Sequence, residues 1–272
     1  MNTHSEHQAG GSQQGRTLLI DTSYGLTVAL DHAPVITEQD SRQHVELLQP
    51  SIQRLLTEAA IEASSISTVI VGVGPAPFTG LRTGIVAAKA LAFATGAQLI
   101  GQDILSAQAA WSYKCFEEAA VQERASTKTA QRLTLAVNDA RRRQLYFQLF
   151  EEGGQEETKA GARPLTEMDI DYPDHIAERI NQACSQWQEQ HLGLDYQLVV
   201  TGRGVEKYAE SWKQLDCPAL IQEDSLLDHG EQGVQCFIDC ARSNRDGRSV
   251  EPLYLRRPDV SVPNPRKHVV SA

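Results

Sequence analysis

Three clusters along the 272-residue chain have residue types and spacing that could do chemistry. Asp21-Thr22-Ser23 closes an apolar run that begins at Thr17. A carboxylate at such a strand tip can hold a metal or orient a phosphate-bound water, and the hydroxyls and exposed amides beside it can contact phosphate. The same residues also fit a turn in which Asp21 and Thr22 bond their own backbone, and residue types alone leave both readings open. The second cluster, Gly74-Pro75-Ala76-Pro77-Phe78-Thr79-Gly80, joins a strand to a helix start. Unpaired amides there lie beside the positive end of the helix dipole and can hold an anion. Gly74, Thr79 and Gly80 would then join Asp21, Thr22 and Ser23 in a nucleotide or phosphate site. Against this, the turn has no P-loop GK[ST] ending, Lys89 lies deep in the helix, and no GxGxxG is present. Two prolines stiffen the turn, and close strand-to-helix packing is its alternative role. The third cluster, Arg141-Arg142-Arg143, is the one tight basic triplet, readable as a basic patch or as a solvated hairpin turn.

No catalytic residue and no metal set emerges. HExxH, HxxxH and GxSxG do not occur. Asp21 has no companion carboxylate at the neighbouring strand end, Gly72-Val73-Gly74, and only Asp103 follows, so a two-metal nuclease is disfavoured. His44 is a lone helix histidine. Cys115, Cys184, Cys217, Cys236 and Cys240 form no CxxC pair, and read as small apolar fillers in a reducing compartment.

These clusters are positioned by a regular succession of elements. Strands are expected over 17–21, 24–30 and 35–38, then a helix from about Ser41 with Val45, Leu48, Ile52, Leu55, Leu56 and Ala59 on one stripe. Pro50 should kink that helix or mark its true beginning. A strand buried on both faces is expected over 68–73, a helix over 79–95 closed by Gly96, a strand over 98–101 and a short helix over 104–111. The second half repeats the theme with strands over 133–138 and 144–151, a polar loop over 155–163, a helix over 175–191, a strand over 197–201 and a helix over 234–242. Strand hairpin, helix, strand, helix, strand is the order of the ribonuclease-H-like fold of actin-like ATPases, in two α/β lobes. The expected division is a disordered leader over 1–16, a first lobe over 17–112, a polar insertion over 113–131, a second lobe over 132–257 and a flexible tail over 258–272.

Bulk properties set limits. Hydrophobic content of 41% and charged content of 22% are those of a globular protein. Mean hydropathy of -0.35 argues against a membrane span, and the polar N-terminus is no secretory signal, so a cytoplasmic location is expected. A net charge of -10 disfavours a chain that grips nucleic acid by itself. On the helix over 79–95, Leu81, Ile85 and Leu91 supply one apolar stripe while alanines coat much of the rest. That leaves a second apolar face and a reason to expect a partner.

Several signatures together resemble the TsaB (YeaZ), or glycoprotease-like, family of tRNA threonylcarbamoyladenosine synthesis. They are Ile20-Asp21-Thr22-Ser23, His44-Val45-Glu46-Leu47-Leu48-Gln49-Pro50, and Gly74-Pro75 followed by Phe78-Thr79-Gly80-Leu81-Arg82 and Gly84. To these add Ala88-Lys89, Leu91-Ala92, Asp139-Ala140-Arg141 and Pro252-Leu253-Tyr254-Leu255-Arg256. Ala76-Pro77 departs from the glycine and serine common in that family, which removes an amide and a hydroxyl from the turn. The resemblance implies an actin-like, two-lobed paralogue of the transferase subunit TsaD. The His-x-x-x-His metal motif of TsaD is replaced here by Gln102-Asp103-Ile104-Leu105-Ser106. It further implies a non-catalytic subunit with no cofactor of its own, ATP and metal being carried by the partners. Those are a TsaD-like subunit in a heterodimer and a TsaE-like ATPase, with tRNA contacted indirectly and a homodimer in isolation. The expected contact is formed by the first two helices, with His44, Val45, Leu48, Ile52, Leu55, Leu81, Ile85 and Ala88 as its residues. On that reading glutamate at Leu48 or Ile52 abolishes TsaD binding and leaves a folded monomer. The alternative reading is an actin-like ATPase or a glycoprotease-type peptidase acting alone, which ATP-magnesium titration would separate from a scaffold.

Overall fold

A computed structural model describes residues 15–31, 34–39, 44–123, 131–153, 162–243 and 250–256, with the side chains of 44–45 and 117–123 outside the description. The first sheet holds β1 (Arg16–Asp21), β2 (Leu26–Leu30), β3 (Val35–Glu38), β4 (Ile66–Gly72) and β5 (Gln98–Gln102) in the order β3-β2-β1-β4-β5. β1, β2 and β3 pair antiparallel, while β4 is parallel to both β1 and β5. α1 (His44–Glu58) and α2 (Phe78–Thr95) pack on one face of it, whereas α3 (Ile104–Glu123) follows β5 and packs on the second sheet. The second sheet contains β6 (Gln131–Asp139), β7 (Leu145–Glu152), β8 (Ala162–Pro164), β10 (Tyr196–Gly202) and β11 (Ala219–Gln222) in the order β11-β10-β6-β7-β8, with β9 (Asp169–Asp171) also paired to β7. α4 (Pro173–Gln190) and the single turn α5 (Ala209–Trp212) cover one face of it, and α6 (Gly230–Ser243) packs against α3 and against β3 and β5 of the first sheet. Read from β8, the second sheet repeats the strand order and directions of the first. This is the two-lobed α/β architecture expected from the sequence.

Strand alternation explains the layers. Leu18, Ile20, Val69 and Val71 point to a core shared with α1 and α2, whereas Leu19 and Ile70 point to a central core shared with α3 and α6. In the second sheet Leu133, Leu135, Leu198 and Val200 face α4, and Ala136, Tyr146 and Phe150 face the central core. Both sheets are therefore covered on both faces, so their inner strands read as continuous apolar runs.

Several expectations need correction. The helix beginning at Ile104 does not end at Trp111. It runs to Glu123, through the start of the expected insertion, because Tyr113 and Cys115 still reach the central core and the following Lys, Glu and Ala residues are helix formers with no glycine or proline among them. α1 passes through Pro50, which neither starts nor ends it, since the carbonyl deprived of a donor belongs to exposed Glu46. β8, β9 and β11 were not expected. They are edge or near-edge strands of three or four residues: β8 and β9 are polar or proline-bearing, and the apolar β11, Ala-Leu-Ile-Gln, is too short to show a period. Gly96, at φ 72°, terminates α2 as foreseen. Residues 1–14, 124–130 and 258–272, within the expected leader, insertion and tail, lie outside the described residues, as do Ser41 at the expected start of the first helix and residues 155–161 of the expected polar loop.

The largest correction concerns the expected partner contact. Leu48, Leu55, Leu81, Ile85 and Ala88 are buried in the core between α1, α2 and the first sheet, and half-buried Ile52 packs against it. An apolar stripe at helical spacing satisfied itself on its own sheet. His44 and Val45 stand in α1, but their side chains lie outside those described. Leu48→Glu should therefore place an unpaired charge in the core, where Leu48 is only 3% exposed, and cost more than about 3 kcal/mol. Urea unfolding of the purified chain measures this. Parent-like stability in the variant would show that the α1 stripe faces solvent instead.

Candidate functional site

The tip of β1 is closed in on itself. Asp21 Oδ1 accepts the Ser23 amide at 2.9 Å, and Oδ2 accepts the Ser23 hydroxyl at 2.9 Å. All of Asp21, Thr22 and Ser23 are buried. Two glycines make room for them. A β-carbon at Gly72 would overlap the Asp21 carboxylate, and one at Gly84 would overlap the Thr22 side chain. The small residues Gly84, Ala88 and Ala92 thus allow α2 to lie close on the first sheet. Asp21 thus bonds the backbone two residues on, as a turn residue does, while the buried Thr22 hydroxyl has no hydrogen-bond partner among the described residues.

The six residues considered for phosphate are not assembled into one site. Asp21 and Ser23 border a cavity of about 30 Å3 with Tyr24, Asn138, Arg203 and Asp228. That is room for a water or two, not a nucleotide. Gly74 accepts the Ile104 amide through its carbonyl, Gly80 is buried, and Thr79 is exposed on the first turn of α2. The cleft between the lobes is lined by side chains that the sequence did not bring together, Arg141 of the basic triplet among them. Arg203 donates to both Asp228 carboxylate oxygens, and its guanidinium lies 4.2 Å from the Tyr24 ring centroid, with Arg141 5.0 Å from the same ring. Asn138 Nδ2 donates to the Pro75 carbonyl at 3.3 Å, tying the second lobe to the glycine-rich turn. Only the position of Arg203 in the turn after β10 hinted at this in the sequence.

A larger cavity, of about 420 Å3, opens on the other side of the same turn, between Ala76-Pro77-Phe78, the turn after β6 and the segment 250–256. Phe78 and Tyr254 stack at 4.7 Å between centroids, the Arg82 guanidinium lies 3.7 Å from the Phe78 centroid, and Arg82 Nε donates to the Tyr254 hydroxyl. The segment is further anchored by the Leu253 amide on the Val73 carbonyl and by Lys89 on Glu251. Among the described residues no group of three or more His, Cys, Asp or Glu side chains is placed to hold a metal, and no helix is long and apolar enough to cross a membrane. The five cysteines are free thiols, with Cys184, Cys236 and Cys240 buried.

On the outer face of α2, Val86 is 65% and Phe93 93% exposed. Exposed Ala90 lies between them at spacings of four and three residues, so the three form one stripe. This is the second apolar face that the alanine-rich sequence predicted, carried by different residues from those expected.

Burial pushes the Asp21 carboxyl above its ordinary value, while the Ser23 hydrogen bonds and the Arg203 charge pull it down. A raised folded-state value means that the fold favours the neutral acid. That stabilisation is present at acid pH and is lost as pH rises through the folded value. Asp21→Asn, which stays neutral throughout, should gain Tm relative to the parent as pH rises above about pH 4. Differential scanning calorimetry reads the trend, and a difference that stays flat with pH would count against it.

Comparison with known proteins places this geometry. The family model for TsaD, tRNA N6-adenosine threonylcarbamoyltransferase, matches residues 32–225. An uncharacterised protein of Mycobacterium tuberculosis is 33% identical over 114 residues, 42% of this chain and 46% of that one, so the match spans about half the length of that relative. The Escherichia coli tRNA threonylcarbamoyladenosine biosynthesis protein TsaB is 29% identical over 256 residues, covering 89% of this chain and 94% of that protein. The solved structure of YeaZ from Pseudomonas aeruginosa superposes with a TM-score of 0.61 at 22% identity, over 89% of this chain and all of that one, and so shares the fold. With a family model matched across most of its length and a TsaB relative aligned nearly end to end, the chain belongs to the TsaD family, in its TsaB (YeaZ) branch.

Proposed function

We propose that this chain is a non-catalytic partner subunit in tRNA threonylcarbamoyladenosine synthesis. It binds a TsaD-like transferase subunit as a heterodimer and presents it for the modification of the adenosine next to the anticodon. The observation that carries this reading is the Val86-Ala90-Phe93 stripe. A phenylalanine left 93% exposed on a rigid helix costs the free chain apolar hydration, and burial against a second protein removes that cost. Membership of the TsaB branch supplies the identity of the partner. The docking surface is thus the outer face of α2 with the neighbouring exposed side of α1, in place of the buried residues first expected. A TsaE-like ATPase joins the pair, ATP and metal reside on the partners, and tRNA is engaged through them. In isolation the same stripe can pair two copies.

The reading disfavours an ATPase acting alone, since the cavity at the β1 tip has only about 30 Å3 and the paired Arg203 and Asp228 line it.

In a reconstitution with the TsaD-like and TsaE-like subunits, threonylcarbamoyl-adenylate and unmodified tRNA, modification should depend on this chain. Equal activity without it would sink the proposal. Phe93→Asp and Val86→Asp should each weaken co-elution with the TsaD-like subunit by at least tenfold, about 1.4 kcal/mol. Their Tm should stay within a few degrees of the parent, because neither side chain is in the core.

A further inference from the structure

Two of the free thiols, in the second lobe and outside the partner reading, are placed against each other. Cys184 lies on α4 and Cys217 just before β11, with all of β10 between them in the sequence. Asn181 shares a helix face with Cys184, which follows it by about one turn. Its Nδ2 donates to the Gln214 carbonyl at 2.8 Å, and its Oδ1 accepts the Asp216 amide at 2.9 Å. Gln214 Nε2 adds a bond to Asp174 Oδ1 at 3.0 Å. These bonds clamp the segment after α5 onto α4, and beside the clamp the Cys184 and Cys217 thiols hydrogen-bond to each other. The Tyr196 hydroxyl, at the start of β10, reaches both sulfurs, and Trp187 lies edge-on to its ring at 5.5 Å between centroids. Cys184 is buried in the core under α4, whereas Cys217 is half-buried at its margin.

The two thiols are chemically unequal. The hydrogen bond from Cys184 holds the Cys217 thiol down, to about 6, against its partial burial; the Tyr196 hydroxyl and a backbone hydrogen bond act in the same sense, and the Asp216 charge opposes them. The Cys184 thiol is pushed up by the same bond to Cys217 and by burial. Cys217 is therefore the thiolate of the pair at neutral pH, and Cys184 its proton-bearing neighbour. The thiolate is the nucleophilic form of cysteine. A thiolate that solvent can reach, with a second thiol already in contact, is equipped to be oxidised and then resolved to a disulfide. A cysteine that only fills space has no need of a second thiol and a phenol hydroxyl around its sulfur.

We propose that Cys184 and Cys217 form a reversible dithiol site for hydroperoxides, in which Cys217 is the attacking thiolate, Cys184 the resolving thiol and Tyr196 a hydroxyl donor to Cys217. The Cys217 sulfur attacks one oxygen of hydrogen peroxide; an S–O bond forms, the O–O bond breaks and hydroxide leaves. The Cys184 sulfur then attacks the sulfur of the Cys217 sulfenic acid. The S–S bond forms as the S–O bond breaks, and the Cys184 proton departs with the hydroxyl as water. Each sulfur has then lost one electron, and the peroxide has been reduced to hydroxide and water. A small dithiol reverses the product by exchange. The disulfide would join α4 to the segment that enters β11. The proposal does not rest on the partner reading, which uses α1 and α2.

Treatment of the reduced full chain with a small excess of hydrogen peroxide, followed by thiol blocking and peptide mass spectrometry, tests this. The folded chain should lose the mass of two hydrogens and yield one linked peptide pair, Cys184 with Cys217, which dithiothreitol separates. In Cys184→Ala the intermediate has no resolving thiol, so dimedone should label Cys217. A second measurement needs no core substitution: iodoacetamide alkylation of Cys217 in the parent, followed against pH, should have its midpoint below that of glutathione, and Tyr196→Phe should move that midpoint up. The proposal is overturned by the absence of the linked pair, by linkage through Cys115, Cys236 or Cys240 in its place, or by a disulfide between two chains. A Cys217 midpoint no lower than that of glutathione, or one that Tyr196→Phe leaves unmoved, overturns it equally.

Discussion

Burial of the first sheet on both faces constrains everything attached to it. Leu18 and Ile20 leave β1 on one side and Leu19 on the other, and each enters a core. A strand covered in this way carries its terminal residues inward too, so Asp21 is buried together with the apolar residues before it. A carboxylate in that position must be hydrogen-bonded or neutral. Here Ser23 supplies two donors to it, while burial pushes the carboxyl above its ordinary value. The glycines at 72 and 84 are a consequence of the same crowding, since they yield the volume that Asp21 and Thr22 occupy. The tip of β1 is thereby packed tightly against β4 and α2.

The same closeness divides α2 into two faces with different duties. Gly80, Gly84, Ala88 and Ala92 recur every fourth residue and let the helix sink onto the sheet, with Leu81 and Ile85 beside them. The opposite face holds Val86, Ala90 and Phe93, which are exposed among the described residues. Polar side chains flank that stripe and are fixed by the segment 250–256, Arg82 by Tyr254 and Lys89 by Glu251. This segment also reaches the second lobe through Arg256 and the Ala140 carbonyl. It is a strap between the lobes, and the arginine-lined cavity exists because the strap spans that gap.

The elements that were legible in the sequence are those whose signal is local. The strand, turn and helix from Val69 to Gly96 could be read from a buried run, a glycine-proline cluster and a terminal glycine. The repeated order of hairpin, helix and strand foretold two similar lobes. Where the signal depended on distant residues, the reading failed. α3 continues to Glu123 because of packing by Tyr113 and Cys115, and β8, β9 and β11 exist because β7 and β10 offer them an edge.

By itself, then, the sequence determined the lobe architecture, the missing metal motif, the family and the presence of a second apolar face on α2, because each is written in periodicity or in contiguous motifs. Only the tertiary structure decided which stripe of α1 and α2 is spent on the chain's own core. It alone showed that Tyr24, Arg203 and Asp228 line the interlobe cleft, and that residues 77, 142 and 256 share one cavity. Helical spacing shows that residues lie on a common face, but not whether that face meets its own sheet or solvent. Groups more than a hundred residues apart converge only through the packing of the two sheets.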